Sequence, residues 1–358
     1  MLRLVLSLTI GGALLASTLE GQEPPVARSV KIQEGYPADV ILQLAKRNTA
    51  LQHGLTSLTT QQVQSVITNS RLWVAKDNPI TVAFLGGTPE LRNQIMAAVK
   101  PWEQASAVRF DFGPSASQGI FREWSRSDNA YTADVRIAFD GVGYWSFVGT
   151  ESIDPTVAKP NQPSMNFQGF LTELPSDWQG TVLHEFGHAL GLQHEHQSPK
   201  ADCNSEFHWN DDAGYVSTQD QYGSFVPDAQ GRRPGIYTVL EGPPNSWLAN
   251  QIDFNLKQLP NPSNFTSSTF DPKSIMMYSF PGWMFLNGTS SPCCIAENLT
   301  ISAQDSVAAL AIFPRDVNAS RGALLNVRQS LQSLTKRSMG IPGELKTQYK
   351  SRLADISR

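Results

Sequence analysis

The sequence is poor in several features that would place it in a class at once. Its 358 residues include only three cysteines, and 28 Lys and Arg residues face 32 Asp and Glu residues, so the formal net charge is −4. A protein that binds nucleic acid usually carries a basic stripe or patch, and none occurs here. Beyond the N-terminus, no stretch reaches the roughly 18 apolar residues of a membrane-spanning helix. We therefore predict a soluble mature protein with no nucleic-acid or membrane partner.

The N-terminus has the layout of a secretory signal peptide, which we place at residues 1–18. Arg3 supplies a positive start, residues 4–15 are almost unbroken apolar sequence, and small residues follow at 16–18. This apolar run is too short to span a bilayer as a mature helix. We expect a secreted, extracellular protein; the alternatives are an apolar helix of the fold and an uncleaved anchor.

Two further features fit an exported chain. Four Asn-x-Ser/Thr sequons cluster in the C-terminal half and predict glycosylated, exposed loops at Asn264, Asn287, Asn298 and Asn318. In an oxidising compartment Cys203 can pair with Cys293 or with Cys294, which leaves one thiol over. A strained bond between the two adjacent cysteines, or three free thiols, are the alternatives, so the pairing stays open.

Composition divides the rest of the chain into three parts. Residues 19–70 are polar and helix-permissive, and we interpret them as a candidate propeptide or N-terminal extension. The dibasic pair Lys46-Arg47 is a possible processing site, or alternatively part of a solvated helix face. Residues 71–315 form the main domain. Residues 316–358 form a basic tail with a possible amphipathic helix marked by Leu324, Val327, Leu331 and Leu334.

The sequence pattern of the main domain predicts an α+β fold. Apolar and β-branched runs predict strands at 80–85, 108–112 and 135–139, and a short edge strand at 164–170. Thr88 followed by Pro89 predicts a helix start, and Pro101 should kink or end that helix. Residues 199–272 lack periodicity and predict loop-rich structure with short helices, whereas 302–312 predicts a final helix. The order of elements indicates a mixed sheet with its long helices in the N-terminal half.

Chemistry-bearing residues are concentrated in one segment. Four of the six histidines are clustered within thirteen residues, at His184, His188, His194 and His196. Ser176, with Gln179 three residues later, resembles a capping box and predicts that a helix begins just before the cluster. On such a helix His184 and His188 lie one turn apart on the same face, with Glu185 beside them.

A turn after this helix would complete a metal site. Gly191 can adopt the left-handed conformation that ends a helix, which lets His194 return toward the first two histidines. Three neutral imidazoles leave positions open on Zn²⁺, as a catalytic site requires. We predict one zinc ion per chain; the alternative is a set of histidines that satisfy core hydrogen bonds.

Here the sequence resembles a known family. The pattern His-Glu-x-x-His-x-x-Gly-x-x-His over residues 184–194 is the signature of metzincin metalloproteases. The segment Ser274-Ile-Met-Met-Tyr278 is similar to the Met-turn of astacin-like members. The resemblance covers about 71–314. It implies a metzincin-type domain whose twisted mixed sheet has an antiparallel edge strand, with Met276 as an apolar floor and Tyr278 as a switchable zinc ligand. It also implies that 164–167 is the strand that pairs with an extended substrate.

Several positions depart from the astacin pattern. Glu195 follows the third histidine as in astacins, but Ser198 stands where they carry an Arg, and their paired disulfides are missing. The chain is therefore a divergent member by this resemblance. The segment Tyr36-Pro-Ala-Asp39 resembles the astacin latency motif Phe-x-Gly-Asp, but only its Asp is kept among the three fixed positions. It therefore supports no prediction. Cysteine-switch propeptides and serralysin calcium repeats are absent from the sequence.

The function that follows is hydrolysis of peptide bonds in extracellular proteins or peptides. Zinc lowers the pKa of bound water toward about 7, Glu185 accepts the proton as general base, and Tyr278 stabilises the oxyanion. The alternative from another class is a catalytically inactive, secreted zinc-binding or adhesion module on the same fold. Glu185 argues against that alternative, because such a module needs no base there.

Overall fold

A computed structural model describes residues 34–259, 269–336 and 340–357. The predicted signal peptide (1–18), the first part of the N-terminal extension and the sequon at Asn264 lie outside the described residues. Within those three ranges, no helix has both the length and the apolar character needed to cross a bilayer.

A five-stranded mixed sheet forms the centre of the N-terminal half. Its strands are β1 Ile80–Phe84, β2 Phe110–Asp111, β3 Val135–Ala138, β4 Tyr144–Ser146 and β5 Met165–Phe167, arranged in the order β2-β1-β3-β5-β4. All neighbouring strands are parallel except β4, which pairs antiparallel with β5 and forms one edge. The predicted α+β class, with a mixed sheet and an antiparallel edge strand, is confirmed.

The identity of that edge strand differs from the expectation. Residues 164–167 were expected at the edge, but β5 lies inside the sheet because Met165 pairs with Ile137 of β3 and with Ser146 of β4. All three β5 residues are buried. The antiparallel edge strand is therefore β4, around Tyr144.

Within the described residues there are eleven α-helices: α1 Ala38–Gly54, α2 Thr60–Ser70, α3 Pro89–Ala98, α4 Lys100–Ala105, α5 Trp178–Leu190, α6 Cys203–Glu206, α7 Ile236–Glu241, α8 Ala249–Leu256, α9 Ala303–Ile312, α10 Val317–Lys336 and α11 Gly343–Asp355. The predicted start of α3 is confirmed, because the Thr88 hydroxyl accepts the Leu91 N–H and Pro89 is the first helical residue. The helix ends at Ala98, just before Pro101, as expected. The predicted cap at Ser176 is wrong, since α5 begins at Trp178 and has no side-chain cap.

Helix α5 is buried along almost its whole length between the sheet and the C-terminal half. Every residue from Gly180 to Leu190 is buried. Two indoles tie it to neighbouring elements: Trp102 Nε1 donates to Leu183 O at 3.0 Å, and Trp73 Nε1 donates to Ala189 O at 2.7 Å. A helix held in this way can present side chains at fixed positions.

The C-terminal half is loop-rich, as predicted, and contains its own apolar cluster. A disulfide bond joins Cys203 to Cys293, and the thiol of Cys294 is free and half-buried. The cluster around this bond includes Tyr278 and Phe280 as well as Ile252 and Leu256 of α8. The disulfide bond thus joins α6 to the segment around Cys293 within this apolar cluster.

Helices α2, α10 and α11 and the second half of α1 pack together into a unit that we call the terminal helical unit. Its apolar cluster joins residues from both ends, including Leu51, Leu55, Val63, Ile67, Val327, Leu331, Leu334, Leu345 and Tyr349. The predicted amphipathic helix in the tail is confirmed as α10, whose residues Val327, Leu331 and Leu334 are buried. The N-terminal extension and the C-terminal tail are therefore parts of one structure.

The dibasic pair lies in the middle of α1, and its arginine is buried. Arg47 donates from Nη1 to Glu151 Oε1 at 2.8 Å and from Nε to Asp154 Oδ2 at 3.1 Å, with its side chain about 2% exposed. Lys46 beside it is exposed. This buried ion pair joins α1 to the turn that follows β4, and it places Arg47 out of reach of a processing enzyme while α1 is folded.

Replacing Arg47 with Met would leave Asp154 buried without its charged partner. We expect Arg47→Met to lower the free energy of unfolding by roughly 3 kcal/mol, because an unpaired buried charge costs about that much. Urea denaturation followed by tryptophan fluorescence measures it. Lys46→Met, at the neighbouring exposed position, is the control and should change stability by no more than about 0.5 kcal/mol. Equal stabilities for the two variants would contradict this role of Arg47.

Candidate metal centre

The end of α5 reverses the chain as the sequence predicted. Gly191 has φ of +117°, in the left-handed region, and its N–H donates to His188 O at 2.8 Å. The left-handed conformation favours glycine here, and a Cβ at this position would also lie 3.0 Å from the Leu72 side chain, which would have to shift slightly. The reversal carries the next residues back along the helix, toward its histidines.

The structure brings the three predicted histidines together. Nε2 of His188 lies 3.1 Å from Nε2 of His184 and 2.9 Å from Nε2 of His194. One ring nitrogen from each of the three lies within 4.8 Å of the other two, and all three residues are buried. His196, the fourth histidine of the segment, lies outside this group and directs Nε2 to Asn255 O at 3.1 Å.

The outer nitrogens of the first two rings determine where their protons lie. Nδ1 of His184 is 2.7 Å from Ile275 O, and Nδ1 of His188 is 2.9 Å from Leu192 O. A carbonyl oxygen only accepts, so each Nδ1 carries the proton and donates it. In the neutral rings, both Nε2 atoms therefore direct lone pairs toward each other.

The third ring is fixed in the same sense by Gln197. Nδ1 of His194 is 3.0 Å from Gln197 Oε1, while Gln197 Nε2 donates to Phe254 O at 2.9 Å and to Lys257 O at 3.0 Å. Because its amide nitrogen is committed to two carbonyls, Gln197 can offer only its oxygen to the ring. Gln197 was missed by the sequence reasoning, although its position three residues after His194 was a local signal.

Three converging lone pairs fit a cation. Burial lowers the pKa of His184 and His194 well below the usual range and that of His188 to about 4, so the rings stay neutral. Unshared lone pairs about 3 Å apart repel each other unless a positive ion lies between them. Two imidazole ligands on one tetrahedral zinc lie roughly 3.3 Å apart, close to the observed spacings. The residues present thus fit Zn²⁺, with their carbonyl and amide partners in the outer shell.

The segment around Met276 packs against α5, the helix that carries His184 and His188. Met276 is buried and packs so closely on α5 that a Cβ at Gly187 would collide with its sulfur. The segment is anchored by Asp305 of α9, whose carboxylate accepts the Ser274 hydroxyl at 2.6 Å and the Ile275 N–H at 2.8 Å. Asp305 therefore positions the carbonyl that orients His184, and no sequence motif marks Asp305 for this role.

Glu185 and Tyr278 lie beside the histidines. Glu185 is 1% exposed, and its Oε2 has no hydrogen-bond partner. Burial raises the pKa of Glu185 well above its usual range, and the Glu34 carboxylate raises it further. The ring of Tyr278 packs on His184 and His194, with centroids 5.3 and 4.3 Å away. A buried, unpartnered carboxylate next to three imidazoles is a candidate acid or base.

A segment of the N-terminal extension lies in the cleft above these residues. Glu34 forms a parallel β-bridge with Tyr144, and the Gly35 N–H donates to Tyr144 O at 3.1 Å. Gly35 and Tyr36 line a space of only about 10 Å³ together with the metal-centre residues Glu185, His188, His194 and Tyr278. The outer edge of β4 is thus occupied by Glu34 and Gly35 of the same chain.

Side chains of α8 hold the other side of this segment. Asn255 accepts the Tyr36 N–H at 3.0 Å through Oδ1, and Gln251 donates to Tyr36 O at 3.1 Å. The Tyr36 ring packs among Trp145, Phe147 and Phe254, with centroids 5.7 to 6.3 Å away. Asp39, the aspartate of the motif that resembled a latency signal, is exposed in the first turn of α1, away from the cleft.

The remaining predicted residues lie away from the metal centre. Glu195 is directed elsewhere, with its Oε1 accepting the Asp271 N–H at 2.9 Å. Among the described sequons, Asn287 and Asn318 are exposed, whereas Asn298 Nδ2 donates to Pro272 O and Ser274 O, each at 2.9 Å.

Comparisons with known proteins gave matches among solved structures alone. No family model and no curated protein matches the chain. It is similar to a structure of myroilysin, with 26% identity and a TM-score of 0.49 over 69% of this chain and 98% of that one. A crystal structure of myroilysin shows 23% identity and a TM-score of 0.42 over 69% of this chain and 87% of that one.

A third similar structure is high choriolytic enzyme 1, a hatching enzyme zinc-protease from the medaka fish Oryzias latipes. It shows 14% identity and a TM-score of 0.39 over 68% of this chain and 94% of that one. All three TM-scores are below 0.5, so the assignment of a function depends on the geometry of the site.

Proposed function

We propose that this chain is a secreted zinc-dependent endopeptidase, a divergent astacin-like metzincin with one zinc ion per chain. The observation that carries the proposal is the convergence of three Nε2 atoms whose opposite nitrogens are all committed as donors. The metzincin signature at 184–194 and the segment 274–278 supply the family assignment.

Glu185 and Tyr278 have different proposed roles in peptide hydrolysis. Bound zinc would supply Lewis acidity to water and to the scissile carbonyl. Glu185 accepts a proton from the attacking water and returns it to the leaving amine. Tyr278 remains a proposed zinc ligand and hydrogen-bond donor to the developing oxyanion, since its ring already lies against His184 and His194.

Substrates are proposed to be extended segments of extracellular proteins or peptides. The edge strand β4 offers main-chain groups to such a segment, as the bond between Gly35 and Tyr144 demonstrates. Main-chain pairing gives affinity without selecting a sequence, so we expect side-chain preference to come from pockets beside β4.

The N-terminal extension is proposed to act as a propeptide that keeps the enzyme latent. Glu34 to Tyr36 fill the space where a substrate would lie, and the remaining gap of about 10 Å³ hardly admits one water molecule. We also propose a signal peptide, an extracellular location and glycosylation at Asn264, Asn287, Asn298 and Asn318. The disulfide bond between Cys203 and Cys293 fits an oxidising compartment.

The alternative, an inactive zinc-binding or adhesion module, needs the same three histidines. It gives no role to a buried carboxylate whose Oε2 lacks a partner and whose desolvation is costly. We therefore favour the enzyme, and the two experiments below separate the possibilities.

Removing one proposed ligand should abolish zinc binding. We expect the purified wild-type chain to carry one zinc and His194→Ala to bind it more than about 100-fold more weakly, because even outer-shell changes cost 10–100-fold. Elemental analysis and competition with a chelator measure this. His196→Ala, two residues away and outside the cluster, is the matched control and should keep its zinc. Equal zinc content in the two variants would remove His194 from the site.

Changing Glu185 should separate catalysis from metal binding. We expect Glu185→Gln to retain zinc but to lower kcat/KM by roughly 10²–10⁴-fold, because an amide cannot accept the proton. Hydrolysis of a quenched fluorescent peptide is measured after limited proteolysis to relieve latency, with zinc content in parallel. Activity near that of the wild type would overturn the role of Glu185. Zinc without activity in the wild type under every activating condition would favour the inactive module.

A further inference from the structure

We propose that α10 and α11 form a C-terminal clasp that holds the segment Glu34–Tyr36 in the active-site cleft. Latency then depends on both ends of the chain, and a single cut in the N-terminal extension does not suffice to release the segment. This inference rests on the proposed function, because the segment blocks catalysis only if the cleft is catalytic.

The first support is the apolar core that the two ends share. Leu51 in the last turn of α1 and Leu55 directly after that helix are both fully buried. They belong to the same cluster as Leu331 and Leu334 of α10, which are also fully buried. Helix α2 packs along α10. Since α1 begins two residues after Tyr36, fixing its second half also limits how far the cleft segment can move.

A second support is the polar anchor that α11 provides. Arg352 is 8% exposed and donates from Nη1 to Ser70 O at 2.8 Å, and from Nη2 to Asp77 Oδ2 at 3.0 Å. It also donates to Thr150 Oγ1 at 3.3 Å, beside the turn that receives Arg47. Helix α11 is therefore bonded to the junction between α2 and the first strand.

The third support is a contrast in packing. The terminal helical unit is closely packed inside, yet it faces the metal-centre half across a cavity of about 580 Å³. This cavity is lined by Leu44 and Gln52 of α1, by Val327 of α10 and, on the opposite wall, by His188 and Gly191. The first half of α1 packs on the metal-centre half, because Val40, Ile41 and Leu44 share a buried cluster with Trp145 and Phe147. The second half of α1 borders the cavity, and it is held by Leu51 in the core of the terminal helical unit and by Arg47.

A paired substitution in α10 tests the clasp in the full-length chain. Leu331→Asp places a charge in the shared core, whereas Leu325→Asp places the same charge on the exposed face of the same helix, where Leu325 is 46% exposed. Hydrogen exchange of residues 34–55 reports whether the segment is released, and peptide hydrolysis without any activating protease reports whether the cleft opens. Zinc content shows that the metal-centre half remains folded.

If the clasp exists, Leu331→Asp speeds exchange throughout 34–55 and raises the activity of the uncleaved chain by at least about tenfold. Leu325→Asp matches the wild type in both measurements. Leu331→Ala, a milder change for use if the Asp variant fails to fold, shifts both measurements in the same direction. The proposal is overturned if α10 and α11 exchange freely while 34–55 stay protected. Faster exchange with no activity in any variant would retain the clasp and reject the endopeptidase.

Discussion

The whole arrangement depends on the commitment of three Nδ1–H groups to oxygen acceptors. That commitment makes the three Nε2 atoms converge as lone pairs in a buried space where protonation is disfavoured, and a divalent cation is the group that such a space suits. Each acceptor comes from a different part of the chain. Ile275 O is held by Asp305, Leu192 O follows the reversal at Gly191, and Gln197 is oriented by the end of α8.

The metal centre lies beside an edge of the sheet. Glu185, His188 and His194 line the same space as Tyr144 of β4. In this protein the edge of β4 is occupied by the chain's own Glu34–Tyr36, held by main-chain bonding to Tyr144 and by the amides of Asn255 and Gln251. The structure thus links the metal-centre half to the terminal helical unit through Arg47 of α1 and through Arg352 of α11.

Sequence reasoning succeeded where the signal is local. The spacing of His184, His188, Gly191 and His194 follows from helix geometry and one left-handed residue, and strands such as 80–84 are strongly apolar. It failed where partners are distant. The order of strands in the sheet depends on long-range pairing, so β5 was taken for the edge, and the cap at Ser176 was overridden by the packing of α5.

The sequence by itself determined the type of the site: which residues are candidate metal ligands, which carboxylate is the candidate base, and that Gly191 must reverse the chain. These are matters of side-chain chemistry and of contacts within one helix and one turn. Only the tertiary structure decided that Cys203 pairs with Cys293, that Asp305 holds the carbonyl that orients His184, and that α2 shares one apolar cluster with α10 and α11. Those features join residues up to hundreds of positions apart, and no local pattern encodes which distant surfaces become neighbours once the core is buried.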